Sequence, residues 1–405
     1  MEVIAFKEVN QNENTIMKIT KLTTLVVNAD MRNWVFVKIE TDVPGLFGWG
    51  EASLEWKTRA IVGALEDFEV MVVGEDPRNI EHLYQKMYRQ SFWALGVIGM
   101  SAISAIEQSL WDIKGKDLGV PVFQLLGGKV RDRVRMYTHL GGGNMKAVYD
   151  TFSVEPLIEL AKNVIDKGYT ALKVVFVPYS KTLEGRGKVK QFANMFGKLR
   201  EAVGEDIDIM VDFHGRTTPA MAIQYINAIE EYHPFFCEEP VRPENIDSIK
   251  MVTENTKVPI ATGERHVSIY QYREIFEKNS VHIIQPDLCH CGGLWAAKKI
   301  AAMAEVYNMG VAPHNPLGPV ANAVALHFAL STPNFLIQED MLTDVPWRWD
   351  VVETEITSKN GYWAVPKKPG LGIEINEKEA KKHPFKQEFV HSNTIRDEDN
   401  AILDW

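Results

Sequence analysis

The sequence predicts an α/β protein: a (β/α)8-type TIM barrel with an N-terminal α+β capping domain. Three observations predict it. Short apolar runs alternate with helical stretches eight times over about 205 residues from Val134, the rhythm of parallel strands joined by crossover helices. Ahead of them, residues 17–53 read as an antiparallel meander. Six successive apolar runs of the second part end in an ionisable residue, where barrel enzymes build their sites. A doubly wound open sheet is the rival. Even spacing and the lack of a Gly-rich nucleotide loop favour the barrel.

The elements follow in order. "KITKLTTLVVNA", "NWVFVKIETD" and "LFGWGEAS" are strand-like runs parted by turn residues. "MSAISAIEQSLWDIKGKDLG" has small and apolar residues at helical spacing and a glycine stop. "VPVFQLLGG" reads as a short helix and turn. The eight barrel runs are "VRMYTHL", "ALKVVFV", "IDIMVDF", "PFFCEEP", "VPIATGE", "VHIIQPD", "GVAPHN" and "NFLIQED". The tail "VPKKPGLGIEINEKEAKKHPF" leaves this rhythm, with turn residues and a short strand. The expected division is an extension at 1–16, the capping domain at 17–131 and the barrel at 132–366. Residues 367–405 are expected to pack back on the capping domain.

Composition narrows the function. A chain of 405 residues, 45% of them hydrophobic, can bury a large core. Its net charge of −10 comes with no basic stripe, which argues against nucleic acid. No apolar run reaches the roughly 18–20 residues of a membrane span, and the N-terminus lacks a signal-peptide pattern. Three cysteines fit a reducing cytoplasm. "CHC" at Cys289–Cys291 lacks further ligands at workable spacing for zinc, so it is read as packing.

The strand ends carry the chemistry. Asp212 and His214 close the third run, Glu238 and Glu239 the fourth, and Glu264 the fifth. Asp287, His314 and the Glu339–Asp340 pair close the sixth to eighth. Asp212, Glu238 or Glu239, and Glu264 recur at 26-residue intervals when Glu238 is taken. Adjacent strands would then bring three anions to one level, a repulsive cluster without a cation. Hard oxygen ligands favour Mg²⁺. Glu238 and Glu239 point to opposite sides of their strand, so one of them belongs to the cluster. Asp287 beside His314 would fix the imidazole's tautomer and raise its basicity, as a general base requires.

These residues, with "MSAISAIEQSLWDIKGK", "VDFHGR", "FFCEEPV", "ATGER", "IIQPDLCHCGG", "VAPHNPLGP" and "IQED", resemble the enolase superfamily, mandelate racemase subgroup. The likeness is greatest to sugar-acid dehydratases of the galactonate dehydratase type. It runs from Met17 to the C-terminal "DNAILDW". The resemblance implies that Asp212, Glu238 and Glu264 hold Mg²⁺, and it selects Glu238 over Glu239. It implies that His314, partnered by Asp287, removes the proton α to the substrate carboxylate. Glu339 would hydrogen-bond the enolate oxygen, and His214 would protonate the departing 3-hydroxyl. The product would be a 2-keto-3-deoxy acid, and the protein a hydro-lyase and a homo-oligomer.

The second barrel run departs from the racemase pattern Lys-x-Lys. Lys173 fits its first position, but Val175 stands at the second and cannot take a proton. Racemisation needs a base on each face of the α-carbon; β-elimination needs one base and an acid. Lys173 is expected near the substrate carboxylate or as a strand-end lysine with a wet tip. Specificity is expected from the capping domain, from "NADMRNW" and from Glu55, Trp56 and Arg59. Arg265 and Trp347 are further candidates for the pocket wall. An epimerase or cycloisomerase on the same scaffold, and a barrel that binds sugar acids without turnover, are the competing readings.

Overall fold

The structure is a computed structural model, and it describes residues 17–93, 95–141, 153–341, 344–388, 396–397 and 399–403. The expected extension at 1–16 lies outside them. Three strands, β1 (Ile19–Ala29), β2 (Arg32–Thr41) and β3 (Phe47–Glu51), form an antiparallel meander. Asp30 and Met31 make the first turn, with Asp30 at φ 55. Helices α1 (Thr58–Val72), α2 (Ile80–Gln90) and α3 (Gly96–Asp117) cover the sheet. α3 lies directly on β3, and glycine makes this possible. A Cβ at Gly50 would meet the Ala105 carbonyl at 2.0 Å, and one at Gly48 the Ser109 carbonyl at 2.1 Å. A short α4 (Val122–Leu125) leads into the second part.

There the strands are β4 (Arg133–His139), β5 (Ala171–Val174), β6 (Asp208–Asp212) and β7 (Phe236–Glu238). They continue as β8 (Ile260–Thr262), β9 (Ile283–Ile284), β10 (Gly310–Val311) and β11 (Gln338–Asp340). Each pairs in parallel with the next up to β10. β11 returns to β4, and Phe335 bridges to Val311, so the ring closes. Helices α5 (Glu155–Asp166), α6 (Arg186–Val203), α7 (Pro219–Ile229) and α8 (Ile246–Glu254) follow β4 to β7. α9 (Ile269–Lys278), α10 (Gly293–Val306) and α11 (Pro319–Ser331) follow β8 to β10. The ring is filled by one layer from all eight strands: Tyr137, Ala171, Met210, Phe236, Ala261, Ile283, Ala312 and Ile337. It is a packed core rather than a pore.

After β11 the chain forms β12 (Val352–Thr354), the hairpin β13 (Ser358–Lys359) with β14 (Tyr362–Ala364), and β15 (Ile373–Ile375). β14 adds antiparallel to the start of β4, and β15 pairs with β12. The segment then meets the meander: Trp49 Nε1 donates to Glu374 at 3.0 Å and Thr58 Oγ1 to Glu388 at 2.9 Å.

Two buried carboxylates fasten the first part to the barrel. Glu51 accepts from the backbone N–H groups of Gly318 (2.7 Å) and Ala321 (2.9 Å) at the start of α11. Glu107 accepts from Leu294 (2.8 Å) and Trp295 (2.9 Å) at the start of α10. Each meets the orphan donors and positive end of a helix. Burial, opposed by these donors, raises the Glu107 carboxyl from 4.5 to about 7. A carboxyl raised on folding favours the folded state below its unfolded value, and that advantage fades as pH rises through about 7. Thermal melts from pH 4.5 to 8 should therefore depend less on pH in Glu107→Gln than in the parent, while the variant is less stable at every pH. An unchanged slope would remove Glu107 from that pH dependence.

Candidate active site

Alternation along the strands builds the site. Two residues beyond each member of the interior layer stand His139, Lys173, Asp212, Glu238, Gly263, Gln285, His314 and Glu339. Residues two apart on extended backbone share a face, so the apolar plug is followed by a ring of polar groups at the barrel mouth. Gly263 leaves a gap in this ring. A Cβ there would meet the Gln285 backbone nitrogen at 2.7 Å, and its φ of 151 lets the chain turn so that Glu264 enters instead.

Asp212, Glu238 and Glu264 each present a carboxylate oxygen within 4.8 Å of the others. Asp212 lies opposite Glu238 in the β6–β7 register, but Ala261 is the partner of Glu238 on β8. The even 26-residue spacing therefore does not put the three at one level; Glu264 reaches the cluster from beyond its strand. Glu239 turns outward, ion-pairs Arg265 at 2.5 Å and accepts from Thr262.

Lys173 differs from the wet-tip alternative. It is 2% exposed, and its Nζ lies 3.0 Å from Glu238, 2.7 Å from Glu339 and 3.7 Å from Asp212. One ammonium thus faces three carboxylates. Burial pushes the Glu238 carboxyl well above its usual range despite Lys173, and burial also raises Glu264. An anionic excess of hard oxygens is what a divalent ion such as Mg²⁺ would neutralise. Lys173→Met would leave its partners buried and uncompensated. It is expected to cost about 3–5 kcal/mol without metal and less with Mg²⁺, measured by urea unfolding with and without the ion.

The two histidines stand at different corners of the cluster. His314 Nδ1 lies 2.7 Å from Asp287 Oδ2, and its Nε2 is 3.4 Å from Glu264. Burial disfavours the His314 imidazolium, but Glu264, Asp287 and Glu339 outweigh it and raise its pKa well above the ordinary value. His214 Nε2 lies 3.0 Å from Asp212 Oδ2. That contact does not come from strand alternation. β6 ends at Asp212, and His214 sits in a turn at φ 50 whose N–H donates to Asp212 at 2.8 Å.

Glu339 has both oxygens engaged, one by Lys173 and one by the Asn315 N–H at 2.8 Å. Burial resists its ionisation, but Lys173 and His314 hold its carboxyl below the usual range. The donor at this corner is thus Lys173, since an ionised carboxylate only accepts.

A cavity of about 590 Å³ opens over this ring. Glu55, Trp56 and Arg265 line it, but two other expected wall residues do not. Arg59 is exposed on α1 and stacks on Phe385 at 5.2 Å. Trp347 donates to the Asn28 carbonyl at 3.0 Å and stacks on His383 at 4.3 Å, so it ties the post-β11 segment to the meander.

Two lining histidines, His139 and His290, were not among the sequence candidates, and Arg32 lines the cavity from the expected "NADMRNW" segment. His139 Nδ1 accepts from Gly141 at 2.8 Å, and burial, helped by Lys173, lowers its pKa to about 3. It is a neutral ring whose Nε2 carries the hydrogen. His290, read as packing within "CHC", lines the cavity with its Nδ1 2.7 Å from Ser101 Oγ and its Nε2 3.7 Å from Asp287. Arg32 also lines it, paired with Glu55 at 2.9 Å. The signal for His139 was its place two residues after Tyr137. For His290 no sequence period existed, because it stands in a turn beyond β9, whereas Arg32 begins β2 within a segment already expected at the pocket.

A barrel whose mouth holds a carboxylate triad, a carboxylate-held imidazole and a second imidazole at another corner of the triad defines a metal-assisted acid–base enzyme. The chain belongs to the mandelate racemase/muconate lactonizing enzyme family. Residues 9–127 match the mandelate racemase / muconate lactonizing enzyme N-terminal domain, and residues 156–379 match the enolase C-terminal domain-like family. The first match starts ahead of Met17. The chain is 39% identical over 369 residues to a D-galactonate dehydratase of Cronobacter sakazakii (strain ATCC BAA-894), covering 90% of this chain and 93% of the relative. It is 37% identical over 400 residues to one of Xanthomonas euvesicatoria pv. vesicatoria (strain 85-10), covering 96% and 100%. Among solved structures, an enolase from Pantoea ananatis with bound D-gluconate and Mg superposes with a TM-score of 0.85. Its identity is 29%, over 96% of this chain and 100% of that one. A member of the enolase superfamily from Salmonella Typhimurium gives 0.84 at 35% identity, over 91% and 98%.

Proposed function

We propose that the protein is an Mg²⁺-dependent dehydratase of a sugar acid, an aldonic acid such as galactonate or gluconate. The observation that carries this is the pair of imidazoles at different corners of the triad, His314 at Glu264 and His214 at Asp212. Relatives named D-galactonate dehydratase and the gluconate-bound neighbour support the substrate class.

Asp212, Glu238 and Glu264 are the proposed metal ligands. Mg²⁺ held there would neutralise the substrate carboxylate as a second negative charge develops, a contribution of several kcal/mol as a rough scale. His314, oriented by Asp287, takes the proton from carbon 2. The C3–O bond then breaks, and His214 supplies the proton with which hydroxide leaves as water. The enol tautomerises to a 2-keto-3-deoxy acid. Lys173 and Glu339 form the charged corner that meets the substrate carboxylate. Val175 is buried and cannot serve as a base on the other face, which favours elimination over the epimerase reading.

Arg265, Glu55 and Trp56 are proposed to read the sugar chain. The chain is proposed to act in the cytoplasm as a homo-oligomer, and no helix among the described residues is long and apolar enough to cross a membrane. The test is a screen of aldonic and aldaric acids with Mg²⁺, reading 2-keto acid. Chelation by EDTA should abolish turnover, and added Mg²⁺ should restore it. Folded, metal-loaded protein that turns over none of these acids would sink the proposal.

A further inference from the structure

The loop that carries His314 is fastened residue by residue. Asp287 holds the His314 ring at 2.7 Å, and Glu339 accepts from the Asn315 N–H at 2.8 Å. Arg348 Nη2 donates to the Leu317 carbonyl at 2.9 Å, and Glu51 accepts from the Gly318 N–H at 2.7 Å. The remaining position, Pro316, has no N–H to offer, and its carbonyl accepts from Arg32 Nη1. Arg32 begins β2, in the meander, 284 residues away in sequence.

Arg32 is built for this reach. It is 4% exposed, and the same Nη1 lies 2.9 Å from Glu55 Oε1. Its Nη2 contacts Met31 Sδ at 3.2 Å. Burying a guanidinium requires a paired charge and hydrogen-bonded acceptors. One is supplied by the capping side and one by the base-bearing loop, and all of them line the same cavity.

We infer that Arg32 is a positioning residue for the reaction: it pins the Pro316 carbonyl and so holds His314 against Asp287. This rests on the dehydratase reading only for its kinetic readout. Docking of the meander on the barrel thus adds to the hold on the base-bearing loop. A displacement of about 1 Å at a reacting group can cost about 10²-fold in rate.

Arg32→Met keeps the length and apolar stem but removes every donor, and Arg32→Gln is a second loss variant should the first fail to fold. Arg32→Lys restores one cationic donor. A downfield imidazole N–H proton signal from His314 to Asp287, assigned by its loss in His314→Asn, is recorded on Mg²⁺-loaded protein without substrate. The loss variants should weaken or abolish it and lower kcat by about 10–10²-fold, with a much smaller change in KM. Arg32→Lys should recover the signal and most of kcat. An unchanged signal in the loss variants would overturn the inference, as would a raised KM at unchanged kcat, the mark of a direct substrate contact. Because the signal needs no substrate, failure of the parent to dehydrate any sugar acid counts against the dehydratase reading alone.

Discussion

His314→Asn is expected to lower kcat by at least about 10²–10⁴-fold, the range a positioned general base supplies. It should leave Mg²⁺ affinity within a few-fold of the parent. Asparagine keeps the approximate shape and can still donate to Asp287 Oδ2, which stands 2.7 Å from the imidazole. It has no nitrogen able to accept a proton at Nε2, the atom 3.4 Å from Glu264. Two measurements separate the base from a structural part. Exchange of the substrate's α-proton with deuterium should fall as far as dehydration does, because both begin with the same abstraction. Calorimetric titration with Mg²⁺ should be little changed, since the triad does not include His314. In the metal-free protein the His314 ring should stay protonated through the ordinary imidazole range, read by NMR titration, because Glu264, Asp287 and Glu339 raise its pKa against its burial. If dehydration fell while α-exchange continued, His314 would not be the base.

The barrel was legible because its signal is repeated. Eight apolar runs with helices between them leave little else for the chain to do. The carboxylate cluster was legible because Asp212, Glu238 and Glu264 end or closely follow their runs. Their equal spacing suggested one level, and the register shows otherwise. Gly263, not Glu264, is two residues on from Ala261. A glycine at φ 151 supplies the bend, and no periodicity encodes it. His139 and Gln285 were passed over because each looked like an ordinary strand residue. Their places in the ring emerge only when all eight strands are set side by side.

Positions outside the strands were read less well. Trp56 and Glu55 line the cavity, yet Arg59, three residues beyond Trp56, stands in the first turn of α1 and faces Phe385 instead. The change of direction is made by a turn at Trp56, φ 61, which the side-chain pattern does not announce. Trp347 follows the last strand closely enough to suggest a pocket wall. Its ring is claimed by His383 and the Asn28 carbonyl, both remote in sequence. Such contacts depend on how the C-terminal segment returns to the meander, a long-range fact that local composition cannot carry.

His214→Asn should separate the two halves of the reaction. Dehydration is expected to fall by about 10²–10⁴-fold, the usual contribution of a general acid. Exchange of the α-proton should persist at a rate much nearer the parent's. Hydroxide is a poor leaving group, so without a proton donor the carbanionic state returns to substrate more often than it loses water. The contact between His214 Nε2 and Asp212, 3.0 Å, makes the competing outcome concrete. If His214 served chiefly to support Asp212 as a ligand, the variant would bind Mg²⁺ weakly, and exchange and dehydration would fall together. Asp212 keeps Lys173 within 3.7 Å and the backbone N–H of residue 214 at 2.8 Å whatever side chain stands there. These two contacts are sufficient to orient its carboxylate, so Mg²⁺ affinity should change only slightly. The ratio of exchange to dehydration, measured in deuterated solvent at saturating Mg²⁺, therefore decides the role of His214: a large rise assigns it to the departing hydroxyl, and a constant ratio assigns it to the metal.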